Sequence, residues 1–170
     1  MSFLEHMLPH KDVLGADERR FLHDANWWVG LGNFEQAIEE LNKIKPTLRL
    51  HPDVLCVRWK VYSSAERWEL AAETAKALCE QEPTTEIGWV LLARSLHKQG
   101  RTREACNTLL TIAEKFPNKQ LIHYDLARFS CQMGDLSEAW RWLERVLDDK
   151  ATEETILVAL QDPDLKPLLS

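Results

Sequence analysis

Four alanines recur at a constant spacing of 34 residues along the chain. They are Ala37, Ala71, Ala105 and Ala139. Three glycines keep the same period, and a glutamate takes the remaining place in their series: Gly32, Glu66, Gly100 and Gly134. A fixed period of this length indicates a chain built from repeats, in which each unit packs on its neighbours. Any binding function is therefore expected on a surface shared by several repeats rather than in one enclosed pocket.

The period divides the chain into four blocks, each of which is expected to form two helices. The blocks are residues 18–51, 52–85, 86–119 and 120–153. In the third block, apolar residues at helical spacing run from Ile87 to Gln99, and a second helical run begins at Thr102. Gly100 ends the first run and Pro117 closes the second. The sequence therefore predicts a series of helical hairpins.

The third block resembles the tetratricopeptide repeat, a helical hairpin of 34 residues. Its tryptophan, leucine, small residue, turn glycine, alanine and proline are Trp89, Leu92, Ala93, Gly100, Ala105 and Pro117. The first two blocks match in part, through Trp28, Gly32, Phe34, Ala37, Ile38 and Leu41, and through Tyr62, Ala71 and Pro83. The resemblance, to stand-alone bacterial members of the family, implies an all-α fold. We expect a right-handed superhelical solenoid of four hairpins plus a C-terminal capping helix.

The first and second blocks depart from the family pattern. Trp59 takes a position that is small in the other blocks, where neighbouring helices approach closely, and Asp24 and Arg58 replace a usual leucine. Because a wide side chain holds two helices apart, we expect altered packing between the first and second repeats.

The two ends of a repeat stack expose apolar faces that need covers. We predict an N-terminal leader over 1–16, repeats over 17–151, and a capping helix and docked tail over 152–170. The leader is expected to cover Trp27 or to serve as a dimer contact or an arm for a partner. Because Pro163 and Pro167 exclude an ordinary helix through the tail, its leucines are expected to dock beside Trp140 or Trp142. These leucines are Leu165, Leu168 and Leu169.

Composition limits the class of partner. A net charge of -6 and a pI near 5.5 argue against nucleic acid, which requires an excess of Lys and Arg. The four cysteines form no CxxC pair, which indicates a reducing compartment. The start of the chain carries neither a secretory signal nor a membrane-spanning run. We expect a cytoplasmic protein, monomeric or weakly dimeric, with no membrane partner.

The resemblance implies that the first helices of the hairpins line a concave groove. By column, the groove carries a polar, largely cationic series of Asn26, Lys60, Arg94 and Arg128. An apolar series runs beside it, and it consists of Leu22, Cys56, Val90 and Tyr124. His97 is added in the third repeat. An acidic, partly apolar peptide suits such a groove. The alternative is that Arg94 and Arg128 pair with Asp125 and neighbouring acids.

No nucleophile motif, phosphate-binding glycine loop or metalloprotease spacing occurs in the sequence. We therefore expect no enzyme, no cofactor and no metal site. The favoured function is a non-catalytic protein–protein interaction module, a scaffold or adaptor that binds an unidentified protein or peptide in the groove. Two alternatives stay open. One is a cytoplasmic secretion-type chaperone that shields apolar segments, and the other is a structural self-assembly element.

Overall fold

The computed structural model describes residues 13–147 and 153–169, and these residues form ten α-helices and no strands. The helices are α1 Ala16–Gly30, α2 Phe34–Asn42, α3 Pro52–Ser64, α4 Trp68–Gln81, α5 Ile87–Lys98, α6 Thr102–Ala113, α7 Gln120–Gln132, α8 Leu136–Val146, α9 Glu153–Gln161 and α10 Lys166–Leu169. Short 3-10 turns lie at Pro46–Leu48 and Pro163–Leu165. The leader predicted over 1–16 lies outside the described residues as far as residue 12, so its role stays a prediction.

Helices α1 to α8 pack as four successive hairpins, and the second helix of each hairpin also contacts the first helix of the next. The four alanines that define the period are all fully buried, at 0% exposure. Their side chains are small enough to let the helices approach closely, which explains why the same residue type recurs at each repeat. The predicted all-α repeat fold is confirmed.

The turn between the two helices of each hairpin uses a left-handed backbone conformation. Three turns place glycine there, with φ of 72° at Gly32, 77° at Gly100 and 82° at Gly134. The second repeat has Glu66 at the same position, with φ of 54°. Glycine adopts this conformation without a steric penalty, whereas a residue with a Cβ does not. The periodic glycines of the sequence therefore mark turns that require a left-handed backbone conformation. In the second repeat, Glu66 adopts this conformation with strain.

The apolar core forms two clusters that divide at the second repeat. One cluster gathers side chains of α1, α2 and α3, and the other extends from α4 to the tail. Trp59 on α3 packs against the second cluster, and its indole Nε1 donates a hydrogen bond of 2.9 Å to Ser95 Oγ on α5. Trp59, which takes a position that is small in the other blocks, thus contacts the third repeat.

The tail folds back onto the fourth repeat. We call Asp162–Leu165 the tail turn; it contacts α7, while α10 contacts α8. Leu165 is fully buried, and Leu168 packs partly buried against the same core. On α9, by contrast, Leu157 and Leu160 are 54% and 55% exposed. The C-terminal end of the core is therefore covered more by the tail than by the leucines of α9.

Candidate functional site

Two residues of the predicted cationic series, Arg94 and Arg128, lie close together where α5 and α7 pack side by side. Arg94 Nε on α5 donates to Asp125 Oδ2 on α7 at 2.6 Å. Arg128 Nη1 donates to the other carboxylate oxygen of Asp125 at 3.1 Å, and Asp125 is fully buried. The pairing with Asp125 that the sequence left open is therefore present. Because a guanidinium has five N–H donors, each arginine keeps donors for further acids.

The further acids come from the tail turn. Arg128 Nε lies 3.0 Å from Asp162 Oδ2, and Arg128 Nη2 lies 2.5 Å from Asp164 Oδ2. The hydroxyl of Tyr124 donates to Asp162 Oδ2 at 2.7 Å, and Gln132 Nε2 donates to the backbone oxygen of Asp164 at 3.0 Å. The chain's own carboxylates thus lie where the sequence predicted those of a peptide ligand. We call the surface formed by Arg94, Tyr124, Arg128 and Gln132 the arginine groove.

His97 borders the arginine groove from α5. Its Nδ1 lies 3.0 Å from Thr102 Oγ1, and its Nε2 lies 3.8 Å from Asp164 Oδ2. The ring packs on Phe129 with 4.8 Å between ring centroids. Burial lowers the pKa of His97 below its ordinary value, although the nearby charge of Asp164 acts in the opposite direction. His97 is therefore neutral at pH 7 and contributes shape rather than charge.

The protonation states of the groove suit it to carboxylates. Burial raises the pKa of Tyr124, and its hydrogen bond to Asp162 raises that pKa further, so the hydroxyl stays a donor. Burial alone would lower the pKa of Arg128, but the charges of Asp162 and Asp125 more than offset it and raise the pKa. Both groups therefore keep their donor protons across the physiological pH range.

The N-terminal half of the predicted groove is a separate, weaker feature. Lys60 is exposed, and its Nζ donates to Asn26 Oδ1 at 2.8 Å. Asn26 Nδ2 in turn donates to the backbone oxygen of Leu22 at 2.9 Å. Lys60 and Asn26 thus meet each other, but no described contact joins them to Arg94 or Arg128.

Two of the predicted apolar groove residues belong to the core. Leu22 is 8% exposed and Val90 is 2% exposed, because their positions on α1 and α5 face neighbouring helices. Cys56 and Tyr124 are half-buried and keep part of their surface accessible. Cys56 and Tyr124 therefore offer surface to a ligand, whereas the column pattern predicted that all four apolar residues would.

The sequence did not reveal that Gln132, Asp162 and Asp164 belong to this site. The available signal was the pair of acids on either side of Pro163, placed after the last predicted helix. Two acids so spaced are also common in a solvated turn, so the pattern alone does not indicate their partner.

Among the described residues, no group of three or more His, Cys, Asp or Glu side chains is arranged to hold a metal ion. The helices in these parts of the chain also include none with the length and apolar character needed to cross a bilayer.

A sequence comparison with protein families matches residues 89–119 to the tetratricopeptide repeat. No curated protein matches the sequence. The described solenoid has the tetratricopeptide repeat fold, and its third repeat is also recognised as such by sequence. The predicted resemblance is confirmed.

Solved structures share this fold. The thermophilic tetratricopeptide repeat protein TTC0263 of Thermus thermophilus superposes with a TM-score of 0.65 at 17% identity, over 89% of this chain and 86% of that one. MamA of MSR-1 gives a TM-score of 0.62 at 22% identity, over 80% of each chain. A MamA fragment from Desulfovibrio magneticus RS-1 gives 0.62 at 15% identity, over 77% of this chain and 74% of that one.

Proposed function

We propose that this chain is a non-catalytic interaction module that binds an acidic segment of a partner protein in the arginine groove. The observation that supports the proposal is the pair of carboxylates, Asp162 and Asp164, already held there by Arg128. A surface that orders two acidic side chains of its own chain has the donors to order those of another. Tetratricopeptide repeats commonly present concave surfaces to extended partners, and this is consistent with the proposal.

Arginine is suited to this role. Its planar fork offers paired N–H donors that match the geometry of a carboxylate, which a lysine ammonium cannot do. In the groove the side chain of Arg128 is 17% exposed, so bulk water screens its charge less than a surface charge. We therefore expect the groove to supply most of the orientation of a bound acidic segment, and Leu-type side chains beside the acids to supply burial.

The test is an array of nine-residue peptides that carry zero to four carboxylates, probed with the full chain. We expect the bound signal to rise with the number of acids and to fall at higher salt. In Arg128→Gln the dependence on acids should weaken strongly. The control is Arg101→Gln, because Arg101 is exposed and its guanidinium pairs with Glu104 on α6 rather than with an acid of the tail turn.

The array also separates the two alternatives. A chaperone of the secretion type would retain apolar peptides whatever their charge. A self-assembly element would retain none and would instead change its mass with concentration in sedimentation. Either result would contradict the proposed function. The cytoplasmic location and the absence of catalysis expected from the sequence stay predictions.

A further inference from the structure

The tail turn is a compact recognition element in its own right. Asp162 Oδ1 accepts a hydrogen bond of 2.8 Å from the backbone N–H of Asp164, and the N–H of Leu165 donates to the backbone oxygen of Asp162 at 3.1 Å. Pro163 fixes the backbone between the two acids. These constraints hold both carboxylates towards Arg128 and point Leu165 into the core. The fixed backbone dihedral of the proline reduces the conformational entropy that an Asp-Pro-Asp-Leu segment loses when it is ordered.

Two features bear on how firmly the tail turn is held. The ion pairs that hold Asp162 and Asp164 are partly exposed, with side chains 12% and 21% accessible. The helix that leads into the tail turn adds little burial, because Val158 and Leu160 on α9 are 53% and 55% exposed. The tail is therefore held by contacts to Arg128, Tyr124 and Gln132 and by the packing of Leu165 and Leu168, and a segment of the same chemistry could supply all of these contacts.

We propose that the arginine groove recognises an Asp-Pro-Asp-Leu-type segment of a partner, and that the chain's own tail turn occupies the groove in its place. The partner then binds by displacing the tail. This inference rests on the proposed function and specifies its ligand: two acids separated by one residue, followed by a leucine. A tethered competitor acts at an effective concentration of the order of millimolar, so it weakens the apparent affinity of a micromolar ligand considerably.

The experiment compares two full-length proteins in their binding of one labelled peptide. The probe is the peptide of residues 160–168, which contains the tail turn. The first protein is the wild type, and the second is Asp162→Asn with Asp164→Asn, which removes the acids of the tail without shortening the chain. In fluorescence anisotropy, we expect the variant to bind the peptide at least tenfold more tightly than the wild type does.

Two controls isolate the cause. The variant Asp17→Asn with Glu35→Gln makes the same change in net charge at exposed sites outside the groove, and it should bind like the wild type. We call the Asp162→Asn with Asp164→Asn protein the opened variant. A peptide with asparagine at both acidic positions should bind the opened variant at least tenfold more weakly than the acidic peptide does. Equal binding of the two peptides would overturn the assignment of the acids as the recognised groups.

The outcomes distinguish this inference from the proposed function. If the wild type and the opened variant bind the acidic peptide equally, the tail does not compete and is a permanent cover, while the proposed function stands. If neither protein binds the peptide at millimolar concentration, the proposed function fails as well.

A second measurement does not depend on the folding of a variant. Hydrogen exchange of the wild-type protein is followed with and without saturating peptide. We expect faster exchange at the backbone amides of the tail turn and of Lys166 and Leu168 when peptide is bound. Unchanged exchange in the peptide-bound protein would overturn the displacement.

Discussion

The Nε atom of Arg94 lies 2.6 Å from Oδ2 of Asp125, in a contact that joins the third repeat to the fourth. Asp125 has no exposed surface, and its other carboxylate oxygen accepts from Arg128. One buried acid thus positions both arginines of the groove. Its removal is expected to affect stability and binding together.

Asp125→Asn should lower the free energy of unfolding. Loss of one partner from a buried ion pair costs about 3–5 kcal/mol, but the Arg94 side chain is 33% exposed, so we expect about 2 kcal/mol. Urea unfolding followed by circular dichroism measures this. The control is Arg67→Gln, which removes an exposed ion pair with Glu35 and should change the stability little. Equal effects of the two substitutions would show that the burial of Asp125 adds nothing.

The repeat pattern predicted the helices well because the same physical constraints apply four times. The third block predicted helices from Ile87 and Thr102, and α5 and α6 begin at those residues. Each turn needs a left-handed residue and each hairpin needs a small contact residue, so the columns report backbone geometry directly.

The candidate site was predictable only in part. The column period brought Arg94 and Arg128 onto one face, because residues at equal positions of successive repeats share an orientation. It also placed Val90 there, although that side chain is buried in the core. The acids of the tail turn follow no period, since their position depends on where the chain runs after the last repeat. Asp164 lies 36 residues after Arg128 in the sequence, so residue spacing could not predict that these two side chains pair.

Gly88 allows α4 and α5 to approach closely. A Cβ built at this position would lie 2.8 Å from the backbone nitrogen of Cys79 and 3.0 Å from its sulfur. Because backbone cannot move aside as a side chain can, Gly88→Ala should destabilise the protein by about 1–3 kcal/mol. Thermal unfolding measures the loss. Gly30→Ala is the matched control, since no atom lies within 4 Å of the Cβ that it would add at the end of α1. A Gly88→Ala protein as stable as this control would contradict the close approach.

Glu66 carries strain that the other three turns avoid. Its φ of 54° is left-handed, which costs roughly 1–2 kcal/mol for a residue with a Cβ. Glu66→Gly should therefore stabilise the protein by about 0.5–1 kcal/mol, after the entropy that glycine adds to the unfolded chain. The reverse change at the equivalent turn, Gly134→Ala, should destabilise it, although the added Cβ meets no atom within 4 Å. Urea midpoints that move in the same direction for both variants would refute the assignment of strain.

His97 should make the stability depend on pH below neutrality. Burial lowers the pKa of His97 in the folded protein below the value of about 6.5 expected in the unfolded chain. Between these two pKa values the unfolded chain binds more protons than the folded one, so stability falls as the pH decreases through that window. The free energy of unfolding should therefore be lower at pH 5.5 than at pH 7.5. His97→Gln should reduce this difference. A pH dependence unchanged by the substitution would show that His97 does not contribute.

The four cysteines should resist modification in the folded protein. Burial raises the pKa of Cys79 to about 11, and it also raises the pKa values of Cys56, Cys106 and Cys131. Because the thiolate is the reactive form, alkylation by iodoacetamide at pH 7.5 should be slow in the native state. Cys56 should react first, since it alone of the four is half-buried rather than buried.

Mass spectrometry after timed alkylation follows each cysteine separately. Protein unfolded in urea provides the control, and all four cysteines should be modified there at similar rates. In native protein, the rates of the three buried cysteines should increase with urea in parallel with unfolding, because modification then requires opening of the core. Rapid native-state labelling of Cys131, which lies on α7 near the tail, would show that the tail and α7 separate far more readily than the burial of Leu165 implies.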